Sequence, residues 1–319
     1  MQNAIINING EILTHTEHAK ISVFDRGYLY GDSIYEVVRS YQGKFFLLDD
    51  HLKRLENSAR LCHMTLSQSP AHFKQEIYRT FAAFQNQPEN RGHENKGLEK
   101  GQEKVKDAYA RIMVSRGIGK LGFSQSSVTS PTQYVILLLP VTVPSHRTYH
   151  QGVKAQVAAR IRNDRRALDP AMKSGNYLNS VLAFLEAEAD GFDDALLCNA
   201  DGHITEGTTF NVFYLRRGIA VTPPLDIGIL DGVTRRLVLK VLEQLEIPLR
   251  EVRFPKERLY EADEIFLTSS IKEVLSISQI DQHKVGKGTV GPLTLKIHQA
   301  YQKAAGEFDY ATNTTPFKK

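Results

Sequence analysis

The sequence predicts an α+β protein folded as two lobes. Runs of alternating apolar and polar residues, typical of short strands, are mixed with only a few stretches of helical spacing. The 319 residues correspond to about two domains at roughly 150 residues each. A stretch with two prolines and few apolar side chains, 140–151, is the best candidate for a connection. We therefore expect an N-terminal domain at 1–139, an interdomain loop at 140–151 and a C-terminal domain at 152–319.

The N-terminal half begins with two predicted hairpins and a helix. Asn9-Gly10 suits a tight turn between the first two strands, because both residues tolerate positive φ. From about Asp49, leucines recur at helical spacing and predict an amphipathic helix. The strands predicted in this half are 4–8, 11–14, 33–41, 44–48, 109–115 and 133–139.

Residues 88–106 interrupt this pattern. They are rich in Gly, Lys, Glu, Asn and Gln and contain only two apolar side chains, Leu98 and Val105. Such a composition cannot bury enough apolar surface to form a packed element, so we expect a charged, solvated insertion in the N-terminal domain.

The C-terminal half is rich in short strands. Helical patterns cover 177–189 and 233–245. The strands predicted here are 153–161, 195–198, 209–215, 219–222, 249–252 and 264–268.

The composition excludes several classes of protein. Hydrophobic residues at 41% and charged residues at 24% are ordinary for a globular chain and argue against general disorder. The formal charge of +4 is too small, and the basic residues are too scattered, for a nucleic-acid-binding protein. No apolar run approaches the roughly 20 residues of a membrane helix, and we expect neither a membrane partner nor a signal peptide.

Cysteine and histidine usage points to a reduced, metal-free protein. Cys62 and Cys198, the two cysteines, provide no disulfide framework. No Cys/His spacing matches a metal site, although there are 11 histidines. We therefore expect a cytoplasmic enzyme without a metal ion.

Lys173 and Glu206 are the first candidates for chemistry. Lys173 lies in a polar turn directly before an apolar helix, whose positive end would lower the pKa of the lysine and favour a nucleophilic amine. Glu206 begins a strand and is followed by Gly207, which lets a ligand approach closely. On local sequence alone, a surface lysine and a solvent-facing hairpin glutamate are the simpler explanations.

Three further segments have the character of an anion site. Gly232 precedes a helix whose first N–H groups, those of Val233 and Thr234, are available to a phosphate. The run 268–271 places hydroxyl groups at the end of a strand. Arg54 lies off the apolar stripe of its helix. The alternatives are that Asp231 caps the helix and that Arg54 belongs to a solvated face.

In their order and in their residues, these segments resemble the conserved segments of the class IV aminotransferases, which are pyridoxal-phosphate (PLP) enzymes of fold type IV. The resemblance rests on Lys173-Ser174-Gly175-Asn176-Tyr177-Leu178-Asn179, on 191–198 and on 204–213. It extends to 25–32, to His51-Leu52-Lys53-Arg54-Leu55 and to 266–270, and so covers nearly the whole chain except the insertion and the C-terminal tail. The family implies a small N-terminal α/β lobe and a larger, β-rich C-terminal lobe that binds the cofactor.

The resemblance implies a role for each candidate residue. Lys173 is expected to form the Schiff base with PLP and to move the substrate's α-proton, and Glu206 to pair with the pyridine nitrogen. Tyr177 is expected to hydrogen-bond the ring oxygen. The implied phosphate ligands are Arg54, the N–H groups of Val233 and Thr234, and Ser270.

The substrate pocket that the family implies favours branched-chain amino acids. Tyr109-Ala110-Arg111 matches the Tyr-x-Arg strand of branched-chain enzymes, where an arginine meets the second carboxylate of glutamate. The other pocket residues expected are Tyr35, Ile271 and, from a partner subunit, Tyr30, because the family is at least dimeric.

Two other class IV activities resemble the chain in part. Residues 25–35 are closer to D-amino acid aminotransferases, but those enzymes carry an Arg-x-His trap after a Val-x-Arg-Gly segment, and residues 118–123 contain neither Arg nor His. Aminodeoxychorismate lyases usually have Arg where Leu121 stands. Both departures favour a branched-chain enzyme.

We therefore expect a homodimer, or a dimer-based homo-oligomer, that moves the amino group of a branched-chain L-amino acid to 2-oxoglutarate by a ping-pong mechanism. A D-amino acid aminotransferase and an aminodeoxychorismate lyase are the alternative enzymes. A cofactor-binding protein without turnover is the non-enzymatic alternative.

Overall fold

A computed structural model describes residues 4–90 and 107–316 of the chain. The predicted charged insertion at 88–106 lies outside the described residues, except for a turn of 3-10 helix at Pro88–Asn90. The chain divides into two compact units. The first comprises Met1–Thr142 and Met172–Asn176, and the second comprises Val143–Ala171 and Tyr177–Lys319.

The first unit is built on a six-stranded antiparallel sheet. Its strands are β1 (Ile5–Ile8), β2 (Glu11–Leu13), β3 (Ser33–Tyr41), β4 (Lys44–Phe45), β5 (Ala108–Ser115) and β6 (Gln133–Pro140). They pair in the order β2-β1-β6-β5-β3-β4. Asn9 and Gly10, between β1 and β2, both have positive φ, as the sequence predicts.

The described residues of the first unit also form three α-helices, namely α1 (Arg26–Tyr30), α2 (Leu48–Leu61) and α3 (Pro70–Asn86). Side chains of α2 and α3 join alternate residues of β3 and β5, including Ile34, Val38 and Ile112, in one apolar core. Because neighbouring residues of a strand face opposite sides, Tyr35 and Arg111 project from the other face of this sheet. The strand predicted at 44–48 ends at Phe45, since Leu47 has a φ of 53° and immediately precedes α2.

A short segment, Met172–Asn176, is hydrogen-bonded to the first unit. The N–H of Tyr35 donates to the carbonyl of Lys173 at 2.9 Å, and the N–H of Gly175 donates to the carbonyl of Ser33 at 2.7 Å. A Cβ on Gly175 would lie 2.2 Å from the Ser33 hydroxyl oxygen, so glycine is required for this close approach. The segment therefore pairs with the start of β3 and holds Lys173 beside Tyr35.

The second unit contains a nine-stranded mixed sheet. Its strands are β7 (Val153–Ile161), β8 (Asp194–Cys198), β9 (Ile204–Gly207), β10 (Asn211–Arg216), β11 (Ile219–Thr222), β12 (Leu249–Glu251), β13 (Glu264–Ser269), β14 (Glu273–Ile280) and β15 (His283–Lys284). The order is β12-β11-β10-β13-β14-β7-β8-β9, with β15 on β14. β7 is parallel to β14 and β8, β11 is parallel to β12, and the other pairs are antiparallel.

Five helices belong to the second unit, namely α4 (His146–Gln151), α5 (Leu178–Ala189), α6 (Val233–Gln244), α7 (Glu257–Tyr260) and α8 (Pro292–Gly306). α5 packs on β7 and β8, whereas α6 and α8 contact each other and β13. The short α4 lies in the stretch that the sequence predicts to be an interdomain loop. Helices and sheets both contribute to each unit, which confirms the predicted α+β class.

The described residues also limit the kinds of site that the chain carries. Within 4–90 and 107–316, no helix is long and apolar enough to cross a bilayer. Over the same ranges, no group of three metal-ligating side chains comes together. Cys62 and Cys198 are free thiols.

Candidate active site

Lys173 directs its amine at the hydroxyl group of Tyr35. Its Nζ donates a hydrogen bond of 2.9 Å to Tyr35 Oη and lies 4.4 Å from the centre of the ring. The backbone N–H of Lys173 donates to the Ser58 hydroxyl on α2 at 3.1 Å. Both ends of the lysine are thus held. α5 begins at Leu178, which leaves Lys173 outside its first turn, so the expected effect of the helix dipole finds no support.

The ring of Tyr35 also carries a second cation. The guanidinium carbon of Arg111 lies 4.3 Å from the centre of this ring, a cation–π contact. Burial lowers the pKa of Arg111, and the neighbouring Tyr109 opposes that change. The structure thus brings together four residues that the sequence predicts for the site: Lys173, Tyr35, Tyr109 and Arg111. A fixed guanidinium beside a primary amine suits a substrate that carries a carboxylate.

Arg54 is buried in an ion pair, so the solvated helix face considered for it is wrong. Its Nε donates to Glu36 Oε1 at 2.7 Å and its Nη2 donates to Oε2 at 2.8 Å. His51 Nδ1 lies 2.7 Å from the same Oε2. A bidentate carboxylate fixes the plane of a guanidinium group, which orients whatever anion the arginine binds. The role of Arg54 as a phosphate ligand stays a prediction.

The pKa values of this buried trio indicate its charges. Burial alone would raise the pKa of Glu36, but the charge and hydrogen bonds of Arg54, with those of His51, outweigh burial and hold it well below its ordinary value. Burial lowers the pKa of His51, against the opposing charge of Glu36. At neutral pH the trio therefore contains a carboxylate, a guanidinium and a neutral imidazole.

Glu206, at the end of β9, has partners on both carboxylate oxygens. Oε1 accepts a hydrogen bond from Arg162 Nε at 3.0 Å. Oε2 accepts from the backbone N–H of Leu230 at 3.0 Å and from Asn211 Nδ2 at 3.3 Å. The side chain is 5% exposed, so the solvent-facing hairpin glutamate is wrong. These donors orient an anionic carboxylate, the group that a protonated ring nitrogen requires.

Tyr177 lies in the same unit as Glu206 and immediately precedes α5. Burial raises the pKa of Tyr177, and the negative charge of Glu206 adds to this effect. The phenol therefore keeps its proton at neutral pH.

The residue at the N-cap of α6 makes no side-chain hydrogen bond to the helix. Its N-cap is Gly232, and Asp231 instead accepts a hydrogen bond of 2.8 Å from Arg236, so the alternative in which Asp231 caps the helix is wrong. α8 differs, because the Glu264 carboxylate accepts from two of its first N–H groups. The α6 terminus therefore retains the anion-binding character predicted for Val233 and Thr234.

The loop after β13 carries Ser270 and Ile271. Ser269 closes this loop by accepting a hydrogen bond of 3.1 Å from the N–H of Lys272. Just before it, Thr268 Oγ1 is buried and has no hydrogen-bond partner among the described residues. A buried, unsatisfied hydroxyl is costly unless a ligand pairs with it. Within the second unit, the oriented carboxylate of Glu206, the N-terminus of α6 and this hydroxyl suit a cofactor that carries a ring nitrogen and a phosphate, as PLP does.

Tyr30 packs on the loop that contains Gly122. Its hydroxyl accepts a hydrogen bond of 3.1 Å from the N–H of Gly122, and its ring centre lies 5.2 Å from that of Phe123. The predicted contribution of Tyr30 to a partner's pocket stays a prediction.

Sequence reasoning missed several partners of the candidate residues. Glu36 was identifiable, because its position in β3 shares the inward phase of Ile34 and Val38, where a charge requires a partner. His51 lies one helical turn from Arg54 and faces the same carboxylate. The sequence around Arg162 and Asn211 does not indicate that they bind Glu206, because the three residues come together only in the folded second unit.

Comparisons with known proteins reveal relatives with this chemistry. A family model described as amino-transferase class IV matches residues 33–280. A putative branched-chain-amino-acid aminotransferase of Methanocaldococcus jannaschii is 32% identical over 298 residues, covering 93% of this chain and 95% of the relative. A D-alanine aminotransferase of Bacillus licheniformis is 32% identical over 297 residues, with the same coverage of 93% and 95%.

A solved structure is similar over nearly the whole chain. The branched-chain amino acid aminotransferase from Thermobaculum terrenum, in its PLP form, has a TM-score of 0.80 at 27% identity. The similarity covers 97% of this chain and 96% of that chain.

Proposed function

This chain belongs to the class IV aminotransferases, a family of PLP enzymes, and we propose that it transfers the amino group of a branched-chain L-amino acid to 2-oxoglutarate. The observation that carries the proposal is the guanidinium of Arg111, which lies 4.3 Å from the centre of the ring whose hydroxyl binds the Lys173 amine. A cation on the same ring that binds the reactive amine suits the second carboxylate of 2-oxoglutarate.

PLP, when bound, supplies an electrophilic aldehyde and a ring that takes up the negative charge developing at the substrate's α-carbon. Lys173 Nζ would hold the aldehyde carbon through a covalent bond that a substrate amine can exchange. The same amine would act as the general base that moves the proton from the substrate's α-carbon to the aldehyde carbon of the cofactor. Tyr35 Oη accepts a hydrogen bond from this amine at 2.9 Å and keeps it in one place between the two transfers.

The remaining residues bind and orient. Glu206 holds the proton on the pyridine nitrogen, because its anionic carboxylate stabilises the charged ring. Tyr177 would donate a hydrogen bond from its phenol to the ring oxygen. The residues that would hold the phosphate are Arg54, Val233 and Thr234 through their N–H groups, and Ser270.

The residues proposed for the substrate are apolar or aromatic apart from Arg111. Tyr35, Tyr109 and Ile271, with Tyr30 of the partner subunit, receive an aliphatic donor side chain, which an apolar pocket favours. Leu121 and its neighbours in 118–123 include no Arg or His to bind an α-carboxylate from that side. This departure is why we place the L-branched-chain activity first.

A D-amino acid aminotransferase is the second candidate function. It is favoured by the D-alanine aminotransferase of Bacillus licheniformis, which is 32% identical to this chain over 297 residues. The cation of Arg111 and the amine of Lys173 serve that reaction equally well.

A homodimer is proposed on the basis of exposed apolar side chains in each unit. In the first unit, Tyr28 and Phe123 are 69% and 83% exposed. In the second unit, Leu178, Val181 and Leu185 share one face of α5 and are exposed. An exposed apolar helix face of this kind is typical of surfaces that a second subunit covers. Light scattering should give twice the chain mass of 35.9 kDa.

The free thiols Cys62 and Cys198 are consistent with a reducing compartment, and we propose a cytoplasmic location. The two compact units are proposed to correspond to a small N-terminal and a larger C-terminal domain.

Reductive trapping tests the proposed function. Borohydride treatment of the PLP-loaded protein, followed by peptide mapping, should place the cofactor on Lys173. Lys173→Ala should abolish this label and lower kcat by about 10³-fold, within the range for loss of a general base. Replacement of an exposed lysine, Lys154→Ala, should change neither the label on Lys173 nor kcat. A label that persists on another lysine in the Lys173→Ala protein, with turnover, would contradict the assignment.

A further inference from the structure

Asn211 connects two parts of the second unit that the proposed function assigns to opposite ends of the cofactor. It is the first residue of β10 and is 4% exposed. Its Nδ2 donates to Glu206 Oε2 at 3.3 Å and to the carbonyl of Leu230 at 3.0 Å. A single amide group therefore binds the carboxylate and the segment that leads into α6.

The same segment binds Glu206 directly. The N–H of Leu230 donates to Glu206 Oε2 at 3.0 Å, so Glu206, Leu230 and Asn211 are hydrogen-bonded to one another in a closed set. A closed set of this kind resists rotation of any one member, because each movement breaks two hydrogen bonds.

Asn211 also packs against the N-cap of α6. A Cβ on Gly232 would lie only 2.1 Å from Asn211 Oδ1, so this approach requires glycine at the N-cap. On its other side, Asn211 pairs in register with Thr268 of β13, the residue whose buried hydroxyl has no partner among the described residues. Asn211 is thus in contact with the α6 N-cap and aligned with the strand that leads to Ser270.

We propose that Asn211 is a positioning residue that sets the spacing between the Glu206 carboxylate and the N-terminus of α6. This inference rests on the proposed function, in which Glu206 binds the pyridine nitrogen and α6 binds the phosphate. The pyridine ring is rigid, so both groups act on one molecule only when their separation matches it. In enzymes, a misplacement of about 1 Å lowers the reaction rate on the order of 100-fold.

The test measures the dissociation constants of three probes with the apo-protein. PLP engages both ends, pyridoxal lacks the phosphate, and inorganic phosphate lacks the ring. For Asn211→Ser, PLP should bind at least about 10-fold more weakly, the size of one hydrogen bond to a charged group. Pyridoxal and phosphate should each lose less than about 3-fold, because each half-ligand can be accommodated without the correct spacing. The loss for PLP should therefore exceed the product of the other two losses.

The near-isosteric Asn211→Asp provides a second variant to which the same criterion applies if Asn211→Ser does not fold. Thr222→Val is the matched control, since it removes a buried hydroxyl that donates to the carbonyl of Val212 at 2.8 Å on the adjacent strand. It should leave all three constants unchanged.

Two results would overturn the inference. One is an unchanged affinity for PLP in the Asn211 variants. The other is a PLP loss equal to the loss for one half-ligand, which would make Asn211 a contact at one end only. Failure of the wild-type chain to bind PLP at all would refute the proposed function itself, and the inference with it.

Discussion

The amine of Lys173 donates a hydrogen bond of 2.9 Å to the hydroxyl of Tyr35, and the guanidinium carbon of Arg111 lies 4.3 Å from the centre of the same ring. The tyrosine is 3% exposed, so it is a fixed support for both cations. Its hydroxyl determines where the lysine amine rests whenever that amine is free. The ring holds the Arg111 guanidinium by a cation–π contact.

Removal of the Tyr35 hydroxyl should slow catalysis without weakening cofactor binding. We expect Tyr35→Phe to lower kcat by about 10-fold, the equivalent of one hydrogen bond to a charged group, while the dissociation constant for PLP changes little. Steady-state kinetics and a PLP titration measure the two effects. Tyr214→Phe, which removes a buried phenol on β10, is the control. Equal rates for the two variants would show that the Lys173–Tyr35 contact has no part in turnover.

Loss of the Arg111 cation should affect the acceptor more than the donor. Arg111→Gln should raise the KM for 2-oxoglutarate by about 10- to 100-fold, because a buried carboxylate loses its charged partner. The KM for L-leucine should change much less, since its side chain carries no charge. Arg60→Gln, at an exposed position on α2, is the control. Equal increases for both substrates would indicate that Arg111 acts only by packing on Tyr35.

The buried ion pair between Glu36 and Arg54 should be a large term in stability. Glu36→Gln should lower the free energy of unfolding of the apo-protein by about 3 kcal/mol, because it leaves the Arg54 charge buried without an anion. A double-mutant cycle with Arg54→Met, measured by urea unfolding, isolates the pair. Glu186→Gln breaks an exposed pair with Arg160 and should cost less than about 1 kcal/mol. Similar costs at both sites would contradict the account of the trio.

His51 should make stability depend on pH in the mildly acidic range. Its pKa is lowered by burial in the folded protein, whereas in the unfolded chain it keeps the ordinary value of 6.5. Below pH 6.5 the unfolded chain therefore binds a proton that the folded chain does not, so stability falls as the pH falls. The pKa of Glu36 is also lowered in the folded protein, from an ordinary value of 4.5. Glu36 therefore adds a further loss of stability only below about pH 4.5.

The difference between wild type and His51→Gln isolates this contribution. We expect the free energy of unfolding, measured with urea on the apo-proteins between about pH 5 and 7.5, to depend less steeply on pH in His51→Gln than in the wild type. The variant has no side chain at position 51 that takes up a proton on unfolding. Identical slopes would mean that His51 is protonated equally in both states.

The sequence was most informative where alternation is regular. β3, β7 and β11 have the bounds that their patterns predict, Ser33–Tyr41, Val153–Ile161 and Ile219–Thr222. α1 and α4 were missed because helices of five and six residues are too short to show a period. β14 was missed because it is buried on both faces along almost its whole length, which removes the alternation that marks a strand.

For the site, motifs located the residues but not their partners. Lys173 and Glu206 stand in recognisable segments, and their types suggest their chemistry. Arg162 and Asn211 reach Glu206 only because the sheet of the second unit brings distant segments together. The capping of α6 was also beyond the sequence, since Asp231 and Gly232 are adjacent and only the structure shows that Asp231 turns to Arg236.

The most direct test of the central claim is a panel of amino donors assayed with 2-oxoglutarate on the purified, PLP-loaded protein. The panel contains L-leucine, L-isoleucine, L-valine, D-alanine and aminodeoxychorismate, and the products are identified by chiral chromatography. The account predicts L-glutamate and the matching branched 2-oxo acid, with little turnover of D-alanine. Formation of D-glutamate from D-alanine, or release of pyruvate from aminodeoxychorismate, without turnover of the L-branched-chain donors would contradict it.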